Sequence, residues 1–264
     1  MGKKFSLFIV ALLALNLLIS PVSAEDLLKT DAIFGTPEID AEKDDIWDGA
    51  NVIKTERYVE GSDAAWAEVR TMWDEENLYV YAEVHDGSLS VKSENDWEQD
   101  SVEVFLDQNN AKTAAFEDDD GQYRVNYENK QSYGGVASAD NFTTATKTTD
   151  FGYVVEAAIK LASAASEGTV FGFDFQINDD KDDDGVRDAV IIWNDSSGQS
   201  FQNTSGFGEL TLVKEAAGDE TPAAGEEGEK LPNTSTAMYN ILALGLVSIT
   251  LGGFVLFKMK KRTA

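Results

Sequence analysis

The sequence predicts an all-β domain, an antiparallel β-sandwich of the immunoglobulin or jelly-roll kind. Three observations carry this. Short strand-like segments recur from residue 64 to residue 213, most of them alternate at period two, and they are rich in β-branched and aromatic residues. No segment makes a long amphipathic helix, and the spacing between strands does not suit βαβ units.

Taken in order, the segments are AWAEVRTMW, LYVYAEV, SVEVFL, QYRVNY, GYVVEAAI, VFGFDFQI, AVIIW and GELTLV. LASAASEG, after the fifth of them, has room for one helical turn. In SVEVFL, Val102, Val104 and Leu106 point to one side, leaving Ser101, Glu103 and Phe105 on a face expected to meet solvent. In QYRVNY, Tyr123, Val125 and Tyr127 form the apolar face, and Gln122, Arg124 and Asn126 form a polar row on the other. Neighbours in such a row lie about 6.6 Å apart, a spacing that suits successive hydroxyls of a sugar ring. Glu103 is placed to pair with Arg124 and to accept from a hydroxyl, and Trp97, just before its strand, supplies a flat apolar wall. A solvated strand face with a salt bridge and a rim tryptophan explains the same alternation.

The ends of the chain are of a different character. Residues 1–24 read as an export signal: Lys3 and Lys4, an apolar core, then Val22-Ser23-Ala24 as a small-residue cleavage flank. A globular domain over 25–214 follows, of a size that suits one core. Residues 215–230 form an acidic Ala/Gly/Pro linker with too few large apolar residues to pack. Residues 231–264 hold LPNTS, an apolar stretch from Ala237 to Phe257 long enough to cross a bilayer, and the basic tail KMKKR. This order resembles the wall-sorting signal of Gram-positive surface proteins. The resemblance implies that a sortase cuts after Thr234 and joins it to peptidoglycan, placing the domain outside the cell. Ser235 stands where that signal usually has glycine. An ordinary C-terminal membrane anchor is the alternative, and it also leaves the domain at the surface.

Net charge is −27, and loss of the six basic residues in the two removed segments takes it to −33. Such a surface repels nucleic acid and attracts cations. The absence of cysteine excludes disulfides, thiol catalysis and thiolate metal sites, and a single histidine, His85, leaves little room for histidine chemistry. DKDDDGVRD puts Asp180, Asp182 and Asp184 at alternate positions, then Gly185, then Asp188. That is the start of a calcium loop in EF-hand style, although position twelve is Ile191 rather than glutamate. A solvated acidic turn is the competing reading. EDDDG at residues 117–121 is a second, less specific acidic cluster.

GTPEIDAEKDDIWDGA, MWDEENLYVYAEVHD, DWEQDSVEVFLDQNNAKT, EDDDGQYRVNY and FGFDFQINDD, in this order, resemble the family 9 carbohydrate-binding modules that accompany xylanases. The resemblance runs from about Phe34 to Lys214. It implies a calcium-bearing β-sandwich that binds the reducing ends of xylan and cellulose chains without cleaving them. It implies further that Trp97 is one ring of an aromatic clamp, with Glu103, Gln122, Arg124 and Asn126 in the polar cluster around the sugar. Phe201 falls where the family has its second tryptophan, and Gly198 or Gln199 where it has an asparagine. Three other classes are set against this one. A glycoside hydrolase would use some of the many carboxylates. A haem protein would take His85 and Met72 as axial ligands. A surface adhesin would bind host glycans or a protein.

Overall fold

A computed structural model describes residues 27–215. The export signal, the linker beyond residue 215, Thr234 and the apolar span 237–257 lie outside the described residues.

Thirteen strands form the fold: β1 (Lys29–Phe34), β2 (Ile53–Lys54), β3 (Arg57–Glu60), β4 (Trp66–Trp73), β5 (Asn77–His85), β6 (Ser101–Asp107), β7 (Asp120–Asn126), β8 (Gln131–Gly135), β9 (Phe142–Thr148), β10 (Gly152–Lys160), β11 (Val170–Asp179), β12 (Ala189–Ile192) and β13 (Gly208–Val213). Their hydrogen-bonded order is β8-β7-β6-β11-β13-β1-β4-β5-β10-β9. β12 shares an edge of β11 with β13: β13 pairs with residues 170–173 of β11, and β12 with residues 176–179.

The two ends of this path face each other across one core. Ala67, Val69, Leu78, Val80 and Val155 from β4, β5 and β10 meet Val102, Val104, Tyr123, Phe173 and Phe175 from β6, β7 and β11. Alternation puts these residues inside, because successive side chains of a strand point to opposite faces. The terminal strands also approach each other: Gln131 Nε2 of β8 donates to Thr144 Oγ1 of β9 at 2.6 Å.

All eight strand-like segments of the sequence are strands, and the class is all-β. The expectation of an antiparallel sandwich needs correcting in strand direction. β1 runs parallel to both β13 and β4, which makes the sheet mixed. No tight turn joins β1 to either neighbour, so nothing in the connection imposes an antiparallel pairing. LASAASEG carries no helical turn; among the described residues the helical ones are two short 3-10 segments, Asp45–Gly49 and Asp96–Glu98.

Each layer also has an outer face, and the two are covered differently. On β4, β5 and β10 the segment carrying Asp45–Gly49 lies as a strap, with Trp47 buried against Met72, Tyr79 and Tyr81. Glu156 fastens it: its carboxylate accepts from Trp47 Nε1 at 2.9 Å and from the backbone N–H groups of Asp40 and Ala41 at 3.0 Å each. On β6, β7 and β11 the cover is partial. Phe105 packs there with Ile192 and Phe207, and the remainder opens into a cavity.

Candidate functional site

The cavity holds about 580 Å³. Its floor is a row of residues in register across four strands: Gln176 of β11 faces Glu103 of β6, Glu103 faces Arg124 of β7, and Arg124 faces Ser132 of β8. Trp97, on the 3-10 helix before β6, and Phe201, in the loop between β12 and β13, stand at the walls. Gln122, Tyr133, Arg187 and Asp96 add further polar and aromatic groups to the lining. Trp97 is 49% exposed and Phe201 53%, so both rings keep a free surface on the same cavity.

The floor is held by one buried carboxylate. Glu103 accepts from Gln122 Nε2 at 2.5 Å, from Arg124 Nε at 2.8 Å and from Asn178 Nδ2 at 2.7 Å. Arg124 Nη1 then donates to Ser132 Oγ at 2.8 Å. A carboxylate removed from water at 1% exposure needs such donors, and the guanidinium supplies the opposite charge. Gly134, opposite Gln122, keeps the row open, since a Cβ there would lie 2.6 Å from Gln122 Oε1.

Alternation predicts Glu103 and Phe105 on a solvent face; both are buried. β3, β12 and the loop carrying Phe207 fold over that face, which strand periodicity alone does not reveal. Five of the seven residues singled out for sugar meet in the cavity: Trp97, Glu103, Gln122, Arg124 and Phe201. Asn126 and Gln199 do not line it. Asn126 is buried, donates to Gln99 Oε1 at 2.8 Å, and closes the β7–β8 turn by accepting from the N–H groups of Glu128 and Lys130. Gln199 bonds to its own loop, through Gly198 O and Gln202, and Gly198 is the member of that pair on the cavity. Sequence alone does not single out Tyr133, Gln176 and Arg187: Gln176 and Tyr133 join the lining only through cross-strand pairing, and Arg187 reaches it from the loop between β11 and β12.

The loop bearing Phe201 is anchored from below by Asp174 of β11. Its carboxylate accepts from the backbone N–H groups of Asn194 at 2.9 Å, Asp195 at 2.6 Å and Phe175 at 2.9 Å. Burial pushes this carboxyl up to about 7, while the three N–H donors pull the other way.

Among the described residues, carboxylates gather in three further places. Asp180, Asp182 and Asp188 converge, as the loop spacing suggests; Asp184 does not join them and instead accepts from the Val186 N–H at 2.9 Å. Asp119 and Asp120 of the EDDDG segment meet Asp107. Asp86, Asp100 and Asp179 meet from positions too far apart in sequence to make a motif. In this third group Asp179 Oδ1 and Asp86 Oδ2 are buried with no partner among the described residues. Burial, with mutual repulsion, pushes Asp100 up to about 8 and Asp86 up to about 6. All-carboxylate donors with unpaired buried oxygens fit a hard divalent cation such as calcium.

His85 and Met72 do not form a haem site together. His85 is stacked on Trp66 with ring centroids 3.9 Å apart, while Met72, fully buried, lies six residues along β4 from Trp66. At the strand rise that separates them by about 20 Å, too far for two ligands of one iron.

The model for the family described as "Carbohydrate family 9 binding domain-like" matches residues 39–215. The chain belongs to that family. A second family model, the LPXTG cell wall anchor motif, matches residues 226–264, which marks an extracellular protein anchored to a Gram-positive cell wall. An exoglucanase XynX of Acetivibrio thermocellus is 51% identical over 188 residues, covering 71% of this chain and 17% of that protein. An endo-1,4-beta-xylanase A of Thermoanaerobacterium saccharolyticum is 50% identical over 188 residues, covering 71% and 16%. The chain therefore spans less than a fifth of these relatives. Among solved structures, a family 9 module from Caldicellulosiruptor kristjanssonii in complex with cellotriose has a TM-score of 0.68 and 36% identity, covering 76% of this chain and 100% of that one. The same organism's module in complex with glucose gives 0.67 and 35%, covering 78% and 100%.

Proposed function

We propose that this family 9 module binds xylan or β-glucan chains, or their reducing ends, at the cell surface and does not cleave them. The observation that carries the reading is the cavity itself, where two half-exposed aromatic rings stand over a row of hydrogen-bonding side chains. A pyranose offers an apolar C–H face to a ring and hydroxyls at its edge. Trp97 and Phe201 provide the rings; Arg124, Gln122 and Gln176 provide donors and acceptors. The solved relatives that hold cellotriose and glucose support a β-glucan ligand, and the xylanase relatives support xylan.

Glu103 and Asp96 are the cavity's carboxylates, and neither is free for acid–base work. Glu103 serves three donors, and Asp96 pairs with Lys130 Nζ at 2.7 Å. Glycoside hydrolysis needs a carboxylic acid and a second carboxylate facing the scissile bond. Calcium is proposed at Asp86, Asp100 and Asp179, and in the Asp180–Asp182–Asp188 loop, where it would neutralise packed carboxylates and hold loops in place. Export through residues 1–24, sortase cleavage after Thr234 and linkage to peptidoglycan complete the proposal, with 237–257 holding the precursor in the membrane.

Isothermal titration with cellotriose, xylobiose and their borohydride-reduced forms tests the reading. Binding of the unreduced sugars, with no reducing sugar released from xylan or glucan on long incubation, is expected. Loss of binding on reduction identifies chain-end recognition. No binding of any of these sugars would overturn it.

A further inference from the structure

Arg187 lies outside the polar cluster that the family resemblance marks, yet it lines the same cavity. It lies near the end of the loop joining β11 to β12, and its guanidinium reaches three other segments. Nη1 donates to Asn178 Oδ1 at 2.9 Å and to the Trp97 carbonyl at 3.2 Å, and Nη2 pairs with Glu60 at 3.1 Å. Asn178 passes the contact on, since its Nδ2 donates to Glu103 Oε1.

Trp97 makes this arrangement consequential. Its ring has no aromatic neighbour and its indole N–H no hydrogen bond among the described residues, and with 49% of the residue exposed, packing fixes the ring only in part. The backbone of a three-residue 3-10 helix sets where the ring stands. The carbonyls at the end of such a helix lack helical partners, and Arg187 supplies a donor to the one belonging to Trp97.

We propose that Arg187 is a positioning residue of the sugar site: it fixes the Trp97 wall through the backbone and Glu103 through Asn178, and so sets affinity. This rests on the cavity being the sugar site. An arginine is required because a planar fork can serve several acceptors at once, whereas an ammonium is a point charge on a flexible stem.

The test titrates cellotriose into wild type, Arg187→Lys and Arg187→Ala, with tryptophan emission read against a Trp97→Phe reference in each background. Loss of a charge-assisted hydrogen-bond set predicts about tenfold weaker binding in both variants, with no rescue by lysine. The emission contributed by Trp97 should shift in the unliganded protein. Glu60→Gln, at a side chain 54% exposed, leaves the fold intact and is expected to weaken binding about two- to threefold by loosening the fork. Folded Arg187→Lys that binds as wild type overturns the proposal alone. If Arg187→Ala does not fold, the lysine variant decides, and if neither Arg187 variant folds, wild-type affinity in Glu60→Gln overturns it. Wild type that binds no sugar sinks the sugar-site reading and this inference with it.

Discussion

Trp97→Ala should separate binding from folding. The side chain keeps 49% of its surface exposed, on the order of 100 Å² for a tryptophan. Covering most of that area with the C–H face of a sugar contributes about 2 kcal/mol at ~25 cal/mol per Å², or about thirtyfold in Kd. The cost to the fold should stay well below that of a buried tryptophan, about 1–2 kcal/mol, because only the covered half of the residue loses packing and its N–H holds no partner among the described residues. Trp47 is the internal control. It is fully buried and its Nε1 donates to Glu156, so Trp47→Ala should cost about 3–5 kcal/mol of stability. The assay is cellotriose titration with urea melting for both variants. Trp97→Ala that binds within twofold of wild type, or that melts as early as Trp47→Ala, would refute the placement of the site.

Phe201→Trp enlarges the second wall and is expected to strengthen cellotriose binding severalfold; weaker binding by titration would mean that the ring turns away from the ligand. EDTA should lower the melting midpoint and millimolar calcium restore it, since a ligand at tenfold excess over Kd stabilises by about 1.4 kcal/mol. Asp179→Asn should abolish most of that calcium response and Asp182→Ala part of it; a midpoint indifferent to calcium in wild type would remove both proposed sites. Asp174→Asn replaces an acceptor by an amide donor facing backbone N–H groups, so about 1–3 kcal/mol of stability should go, with weaker sugar binding as the Phe201 loop shifts. Wild-type melting and affinity in that variant would show that the loop is held by other contacts.

The strands that sequence made legible are those with one face in the central core. β4, β5, β6, β10 and β11 alternate cleanly because Ala67 to Val84 and Val102 to Ile177 send every second side chain inward. β1, β8 and β9 were not legible, and for a common reason. KTDAIF, QSYGG and FTTATKT carry few large apolar residues, and each is stabilised by what lies beside it. β1 is inserted between β13 and β4, and β8 and β9 sit at the ends of the path. Direction was hidden for the same reason, since only long-range pairing makes β1 parallel.

At the site, residue type was legible where one strand carries several polar residues on one face, as Gln122 and Arg124 do. What alternation hides is depth. Glu103 and Lys147 both occupy outward positions on strands, but one is buried beneath a loop and the other pairs with Glu42 in solvent. The difference comes from segments about 90 residues away, whose return over the sheet is set by Asp174 capturing the backbone of Asn194 and Asp195. The same reasoning explains the carboxylate groups. Asp180 to Asp188 could be found because one turn supplies every member, whereas Asp86, Asp100 and Asp179 become neighbours only when the segment after β5, from one layer, meets the entry to β6 and the end of β11 in the other. Local chemistry is written in the spacing of residues. Sites assembled across strands are written in the register, and register here is fixed by the buried alternation of the core.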